Sequence, residues 1–313
     1  MLTSATKATY AEQMAAGFRF GAGTVAGVTV RVGGPQTSNP AEQMNLLRQE
    51  VQAGTKSISL SMPLGETSDD PIAAAAQKGA RLVAVDTPPP PGSPIKLFIG
   101  NDNDGLGRLL ADTVADRLGP TAAGKIILGS PRNGLAQLDA RGFGFRERMR
   151  ERLPKVRVVG PLDTSDRPDA ADSLWTAVIK ANPAAIAFVS VGANGALLAK
   201  MREKLHAGWL AGSFDVEPDA LPAVRRGDLV LVDPEHFLKG AVAGQLQAQS
   251  IGKQTALPEG WLPIPGLAVT RANVDAIIAR EATDQSRQDW YASKLTEFLG
   301  ANGPKPRPLE SVQ

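Results

Sequence analysis

Two aspartates follow short apolar segments that have the pattern of β-strands. Asp86 comes directly after Leu82–Val85, and Asp215 comes directly after Gly212-Ser213-Phe214. In open α/β sheets, polar groups at the carboxyl ends of strands project into the binding crevice, so both carboxylates are candidates to accept hydrogen bonds from a ligand. Capping of local backbone groups in a turn is the alternative for each. A carboxylate pair also suits glycoside hydrolysis, but nothing else in the sequence indicates an acid with a raised pKa.

Arg141 and Tyr10 are candidates of two other kinds. The Arg141 guanidinium can donate paired hydrogen bonds to two hydroxyl groups, or it can form a structural ion pair with Asp139 or Glu147. Tyr10 is one of two tyrosines in the chain. Its ring either packs in the core or stacks on the apolar face of a ligand. The sequence leaves both choices open.

The composition excludes several kinds of enzyme site. The chain has no cysteine and only two histidines, His206 and His236. Disulfides, thiolate nucleophiles, cysteine-ligated zinc and multi-histidine metal sites are therefore ruled out, and nucleophilic catalysis has few possible bases. No segment completes a dinucleotide fingerprint, a phosphate-binding loop or a nucleophile elbow. We therefore expect a protein that is not an enzyme and that uses no cofactor and no metal.

Length and charge are those of an ordinary globular protein. The 313 residues include 34 Lys and Arg and 32 Asp and Glu, a formal net charge of +2, and 42% of them are hydrophobic. This balance argues against nucleic-acid binding. No run of residues approaches the ~18–20 apolar residues of a membrane-spanning helix. The length fits two domains of about 150 residues each.

Short β-branched and aliphatic segments alternate with amphipathic stretches of helical period, which predicts an α/β fold with parallel sheets covered by helices. One more helix, with apolar residues from Trp290 to Leu299, must dock on a core. Residues 300–313 are predicted to be a flexible tail. The predicted strands are Val28–Val32, Ser57–Met62, Leu82–Val85, Lys96–Ile99, Lys125–Leu128, Val156–Val159, Ala185–Ser190, Trp209–Ala211, Leu229–Val232 and Leu267–Val269.

Several segments have the order and spacing of a known family. They are Thr9–Phe18, Asn39–Gly54 with Ser57–Met62, Ala80–Asp86, Asn101–Gly107, Arg141–Phe145, and Gly212–Asp215 with Ala223–Leu229. In these segments the chain resembles the periplasmic sugar-binding proteins of the ribose-binding type, which are type I solute-binding proteins of ABC importers. The resemblance extends from about Thr9 to about Asn273.

The resemblance implies two similar Rossmann-like lobes joined by a three-crossover hinge, the periplasmic binding protein type I fold. The N-terminal lobe would comprise residues 1–101 and 236–266, and the C-terminal lobe residues 102–235 and 267–299. It further implies a monomer that captures a monosaccharide or polyol in the cleft between the lobes and delivers it to the permease of an ABC importer. Such proteins work in the periplasm or elsewhere outside the cytoplasm. The chain shows no export signal, and only Met1–Ser4 stand where the family has its first strand.

The resemblance favours a ligand-binding role for Asp86 and Asp215, and Tyr10 retains one of two aromatic residues of a family loop. Three of the family's contacts are changed in this chain. Asp139 stands in place of an arginine, Val191 in place of an asparagine, and Pro234 in place of a glutamine. These changes argue against ribose itself as the ligand.

Six further residues are candidates to contact the ligand. Asp139 can replace the missing arginine, and Glu235 or His236 the missing glutamine, unless the last two lie in an exposed charged turn. For Asn103 the alternative is hydrogen bonding at the hinge. For Asn133 and Asn194, in strand-to-helix loops, the alternative is helix capping.

The effector domain of a LacI-like transcription regulator shares this fold and is the alternative function. Against it, no helix-turn-helix and no hinge helix precede residue 10. An upstream DNA-binding helix pair or an upstream export signal would distinguish the two functions.

Overall fold

The protein, described here from a computed structural model, has the expected α/β architecture in residues 1–61 and 70–312, the residues that the structure describes. The helices are α1 (Thr9–Gly23), α2 (Pro40–Gln52), α3 (Asp70–Gln77), α4 (Asn103–Leu118), α5 (Ala136–Arg152), α6 (Pro168–Ala181), α7 (Gly195–Lys204), α8 (Leu221–Arg226), α9 (His236–Gly252), α10 (Val274–Glu281) and α11 (Asp284–Leu299). The strands are β1 (Ser57–Ser61), β2 (Arg81–Val85), β3 (Leu97–Gly100), β4 (Gly124–Ser130), β5 (Val156–Asp163), β6 (Ala185–Ser190), β7 (Leu210–Phe214), β8 (Leu229–Asp233), β9 (Gly260–Pro263) and β10 (Leu267–Val269). The predicted strand Ser57–Met62 thus matches β1 up to Ser61, and Met62 lies outside the described residues.

The chain divides into two compact units. Unit 1 comprises Met1–Asn101, Glu235–Ile264 and Arg287–Val312, and unit 2 comprises Asp102–Pro234 and Pro265–Ser286. The chain therefore passes from one unit to the other four times. The resemblance implied three crossovers, because it assigned residues 267–299 to the second lobe.

The fourth passage lies within α11, which the sequence predicted as a docking helix. Its buried residues Tyr291, Leu295 and Phe298 belong to the core of unit 1. The Tyr291 ring stacks on Phe237 with ring centres 4.7 Å apart. Burial of these side chains explains why the C-terminal residues return to unit 1.

Residues 300–312, the described part of the predicted flexible tail, include several that contact unit 1. The N–H of Trp261 in β9 donates to the carbonyl of Arg307 (2.7 Å), and the N–H of Arg307 donates to the carbonyl of Trp261 (2.8 Å). Leu309 and Val312 pack against an apolar cluster of unit 1. Because β9 is an edge strand of its sheet, the tail satisfies backbone groups that would otherwise lack a ladder partner.

The sheet of unit 1 has the strand order β1-β2-β3-β9, and its four strands are parallel. One apolar cluster packs this sheet against α1, α9 and α11, and a second packs it against α2 and α3. Beyond β1, Leu2 forms isolated parallel bridges to Leu60 and to Gly33. The predicted strand Val28–Val32 is not formed, since none of its residues has a bridge partner and only Gly33, the residue after it, has one.

The sheet of unit 2 has the order β10-β8-β7-β6-β4-β5, in which only β10 is antiparallel. Helices α4 and α5 pack on one another and supply much of the unit's apolar core. Among the described residues, no helix is both long and apolar enough to cross a membrane.

Two close helix pairs position the candidate residues. In unit 1, a Cβ atom at Gly17 of α1 would lie 1.9 Å from the Phe237 carbonyl oxygen of α9. In unit 2, a Cβ atom at Gly107 of α4 would lie 2.1 Å from the Arg141 carbonyl oxygen of α5. Only glycine permits these backbones to approach so closely. The pairs α1–α9 and α4–α5 carry Tyr10, His236, Asn103 and Arg141.

Candidate functional site

Asp86 and Asp215 have the same backbone setting, each within its own unit. Asp86 follows β2 with φ of 70°, and Asp215 follows β7 with φ of 67°. The N–H of Asp86 donates to the Ile99 carbonyl in β3 (2.8 Å), and the N–H of Asp215 donates to the Val232 carbonyl in β8 (3.0 Å). Each acceptor is the next-to-last residue of the neighbouring parallel strand. Aspartate tolerates positive φ better than most residues, so both positions suit it.

A buried lysine pairs with Asp86. Lys239, in the first turn of α9, is fully buried, and its Nζ donates to Asp86 Oδ1. The same Nζ lies 3.2 Å from Nδ1 of His236. A cation in the first turn of a helix opposes the helix dipole, and the Asp86 carboxylate offsets this cost.

The remaining unit 1 candidates lie around the start of α9. The Tyr10 hydroxyl is 3.1 Å from Ser4 Oγ, and its ring centre is 5.8 Å from that of His236. Glu235 and His236 are only 1% and 5% exposed, so the exposed-turn alternative is wrong for both. Glu235 accepts a hydrogen bond from Lys294 Nζ (3.2 Å).

Arg141 is buried in unit 2, where its guanidinium makes two hydrogen bonds and contacts one aromatic ring. Its Nε donates to Asn103 Oδ1 (3.0 Å) and its Nη1 to the Val191 carbonyl (3.3 Å). Its guanidinium carbon lies 4.4 Å from the centre of the Phe214 ring. Val191 thus contributes its backbone where the family has an asparagine side chain. Among the described residues, Arg141 forms no ion pair with Asp139, and Glu147 pairs with Arg150 instead.

Asn103 and Asn194 have partners that the sequence did not indicate. Buried Asn103 opens α4 and accepts from Arg141 within the same unit. Asn194 precedes α7, but its side chain makes no capping bond. Its Oδ1 accepts from Ser190 Oγ (2.9 Å) and from Trp175 Nε1 (3.3 Å), so it ties the end of β6 to α6. The capping alternative for Asn194 is therefore wrong.

Two predicted residues lie apart from Arg141. Asp139 is exposed, and its Oδ1 accepts from the N–H of Gly134 (3.2 Å), so it closes a local loop. Asn133 is also exposed. In the part of the chain that the structure describes, neither residue is hydrogen bonded to the Arg141 guanidinium, which bonds to Asn103 and Val191. Pro234 ends unit 2 directly before Glu235.

Sequence reasoning missed Lys239 and Glu217. Lys239 is the single charge between His236 and Gly252 in α9, and a lone lysine in an apolar helix was the available signal. Glu217 Oε2 accepts from the N–H of Ala196 in α7 (3.0 Å). Burial raises the pKa of Glu217, and the nearby Asp215 carboxylate raises it further. Over residues 1–61 and 70–312, no cluster of three or more acidic or histidine residues could hold a metal ion.

A family model and several solved structures match the chain. The family model, described as periplasmic binding protein domain, matches residues 1–255. A search of curated proteins found no match. An ABC transporter solute-binding protein from Burkholderia graminis in complex with D-arabinose is 19% identical, with a TM-score of 0.75 over 87% of this chain and 94% of that chain.

Two further solved structures are similar. A periplasmic solute-binding protein from Actinobacillus succinogenes with bound D-allose is 16% identical, with a TM-score of 0.78 over 88% of this chain and 98% of that chain. A solute-binding protein from Agrobacterium vitis with bound alpha-D-tagatopyranose is 20% identical, with a TM-score of 0.76 over 89% and 96%. At sequence identities of 16–20%, these similarities show that the fold is shared and nothing more.

Proposed function

Because the chain belongs to the periplasmic binding protein domain family, we propose that it captures a monosaccharide or polyol outside the cytoplasm and delivers it, as a monomer, to the permease of an ABC importer. The family consists of solute-binding proteins and not of enzymes, so the ligand leaves unchanged. The observation that carries the proposal is the matched backbone setting of Asp86 and Asp215.

Each unit supplies groups that suit hydroxyl recognition. The carboxylates of Asp86 and Asp215 accept from sugar hydroxyls, and charge assistance strengthens these bonds. Arg141 supplies donors, and its bond to Asn103 and its stacking on Phe214 hold the guanidinium in one plane. Tyr10 offers an aromatic face for the C–H side of the sugar ring.

The similar structures favour monosaccharides of five or six carbons. Their bound ligands are D-arabinose, D-allose and tagatopyranose. Anionic ligands, phosphorylated sugars included, fit less well, since a carboxylate in each unit would repel an anion.

A thermal-shift screen against pentoses, hexoses, deoxysugars and polyols tests the proposal. A ligand that binds only the folded protein, present at 1,000 times its Kd, adds about 4 kcal/mol to the free energy of unfolding. We expect one sugar to raise the melting temperature of the wild-type protein and to raise that of Asp215→Asn by only about half as much, since a loss of about 2 kcal/mol of binding removes about half of the added stability. A flat response across the panel, or an equal shift in both proteins, contradicts the proposal.

A further inference from the structure

Glu235 precedes α9 in a left-handed backbone conformation that is uncommon for residues other than glycine. Its φ is 58° and its ψ is 48°. Such a conformation costs free energy, so it persists only where the surrounding contacts hold it in place. The Glu235 side chain is only 2% exposed, so the groups that hold it are those packed around it inside the protein.

Lys294 of α11 supplies one of these contacts. Its Nζ donates a hydrogen bond to Glu235 Oε1 (3.2 Å). The same Nζ lies 5.3 Å from the centre of the Trp290 ring and 5.8 Å from the centre of the Tyr291 ring. Because aromatic faces attract cations, these two rings of α11 hold the ammonium where it meets the carboxylate.

A second contact joins the same two helices. The Tyr291 ring stacks on Phe237, the second residue of α9, with an angle of 18° between the ring planes. Both residues are buried. Tyr291 and Lys294 are three positions apart, so they lie on one face of α11. Helix α11 therefore contacts the start of α9 through both an aromatic pair and an ion pair.

The first turn of α9 carries the lysine that pairs with Asp86. The Glu235 carbonyl accepts from the N–H of Lys239 (3.1 Å), which is the first backbone hydrogen bond of the helix. At the other end of the lysine side chain, Nζ donates to Asp86 Oδ1. A change in the backbone of Glu235 would therefore move Lys239 relative to the Asp86 carboxylate.

We propose that Lys294 is a positioning residue for the Asp86 carboxylate and that it acts through Glu235 and the first turn of α9. In this role Glu235 acts on the start of the helix, which differs from the ligand contact that the sequence suggested. The family model ends at residue 255, so α11 lies outside the part of the chain that it matches. The effect of Lys294 on sugar binding rests on the proposed function, whereas its effect on Asp86 does not.

The substitution Lys294→Met tests this role in two backgrounds, the wild-type protein and Glu235→Gly. Glycine adopts a φ of 58° without strain and has no carboxylate, so it makes the start of α9 independent of Lys294. In the wild-type background we expect exchange at the Lys239 amide to become faster by about tenfold or more, and the carboxyl ¹³C resonance of Asp86 to shift. In the Glu235→Gly background Lys294→Met should change neither. Equal effects in the two backgrounds, or no effect in either, would overturn the proposal.

A second amide separates this local effect from a general loss of stability. The N–H of Ile264 donates to the Gly100 carbonyl (3.0 Å) at the end of the unit 1 sheet, away from the first turn of α9. We expect Lys294→Met to leave its exchange rate nearly unchanged. Equal acceleration at the Ile264 and Lys239 amides would assign Lys294 to the stability of unit 1 as a whole and would overturn the proposal.

Lys96→Met is the matched control. Lys96 forms an ion pair of similar length with Glu259 (3.1 Å), but both of its side chains are exposed. This variant should leave the Lys239 amide and the Asp86 resonance unchanged. The same changes in Lys96→Met as in Lys294→Met would show that they follow from the loss of any lysine in unit 1, which would overturn the proposal.

Titration with D-arabinose, D-allose and D-tagatose keeps this proposal distinct from the proposed function. We expect a sugar that binds the wild-type protein to bind Lys294→Met at least about tenfold more weakly, because the Asp86 carboxylate is no longer held in place beforehand. It should bind Lys96→Met equally well. Equal affinity for Lys294→Met and the wild-type protein would overturn the positioning role. If none of the sugars binds the wild-type protein, the proposed function fails, and the exchange and resonance measurements still decide whether Lys294 positions Asp86.

Discussion

Lys239 and Asp86 form an ion pair in which the ammonium is fully buried and the carboxylate is 18% exposed. The two residues are 153 positions apart in the sequence. The free energy needed to remove both charges from water can exceed the free energy gained from their attraction. A buried ion pair is therefore weak evidence that it stabilises the fold. Its consequence is geometric, because the lysine fixes one oxygen of a carboxylate that stands at the carboxyl end of β2.

Breaking this pair should have unequal effects from its two sides. We expect Asp86→Asn to lower the free energy of unfolding by about 3–5 kcal/mol, since it removes the anionic partner of a fully buried ammonium. Lys239→Met should cost less, because the Asp86 carboxylate retains contact with solvent. Urea denaturation of both variants and of the double variant measures this. Equal costs, or single costs that add in the double variant, would contradict the coupling.

Asp215 allows the ligand role to be separated from backbone strain. Asparagine keeps the shape of the side chain and tolerates the φ of 67°, whereas alanine does not tolerate it well. We expect Asp215→Asn to weaken sugar binding by about 2 kcal/mol, because a charge-assisted bond is lost. Asp215→Ala should weaken binding similarly and also lower stability by about 1 kcal/mol. Titration calorimetry and urea denaturation measure the two effects, and unchanged affinity in Asp215→Asn would remove this residue from the site.

Arg141 should not tolerate its closest chemical substitute. A lysine cannot donate in one plane to Asn103 and Val191 while it also stacks on Phe214. We expect Arg141→Lys to weaken sugar binding more than tenfold and to lower the free energy of unfolding by about 1–2 kcal/mol. Arg167→Lys is the matched control, because the Arg167 side chain is 73% exposed and its ion pair contributes little. Equal behaviour of the two variants would contradict the role given to Arg141.

The sequence was informative where local pattern decides the structure. The strand before Asp86 and the strand before Asp215 are continuous apolar segments, so the positions of both carboxylates followed from their neighbours in the chain. The choice between two roles for Arg141 depended on residues 38 and 50 positions away, which local pattern does not reveal. Lys239 was missed for the same reason.

The errors in the fold also have a tertiary cause. Val28–Val32 has the period-two alternation of a strand, but a strand also needs a hydrogen-bonded neighbour. Only Gly33, the residue after this segment, forms a bridge. From the sequence, α11 was recognised by its apolar residues, and the C-terminal residues were recognised as irregular. Two other features depend on surfaces formed by distant parts of the chain. They are the core that α11 joins and the pairing of Arg307 with Trp261.

Glu217 should make stability fall as pH rises. Burial raises the pKa of its carboxyl above 4.5 in the folded protein. Between the unfolded and the folded pKa, the folded state binds more protons, so this group's contribution decreases as pH increases through that interval. Glu217→Gln keeps an acceptor for the Ala196 N–H and removes the titration. We expect the variant to gain stability relative to wild type as pH rises from 4 to 7, and a constant difference between the two would contradict this.

The Met1 amino group should make stability rise as pH rises, which is the opposite of the effect of Glu217. Its pKa falls from 8.0 in the unfolded chain to about 5 in the folded protein, mainly because burial disfavours the ammonium. Between these values the unfolded state binds more protons, so stability rises with pH from about 5 to 8, by up to about 4 kcal/mol.

Acetylation of the N-terminus isolates this contribution. An acetylated Met1 still donates one N–H to the Arg31 carbonyl, but it has no charge to bury. We expect the acetylated protein to be more stable than the unmodified protein at pH 5 and nearly equal to it at pH 8, as measured by urea denaturation across that range. In the difference between the two free energies of unfolding, the contributions of all other titrating groups, including Glu217, cancel. A difference that does not shrink with rising pH would show that burial does not lower the pKa of the terminal amine.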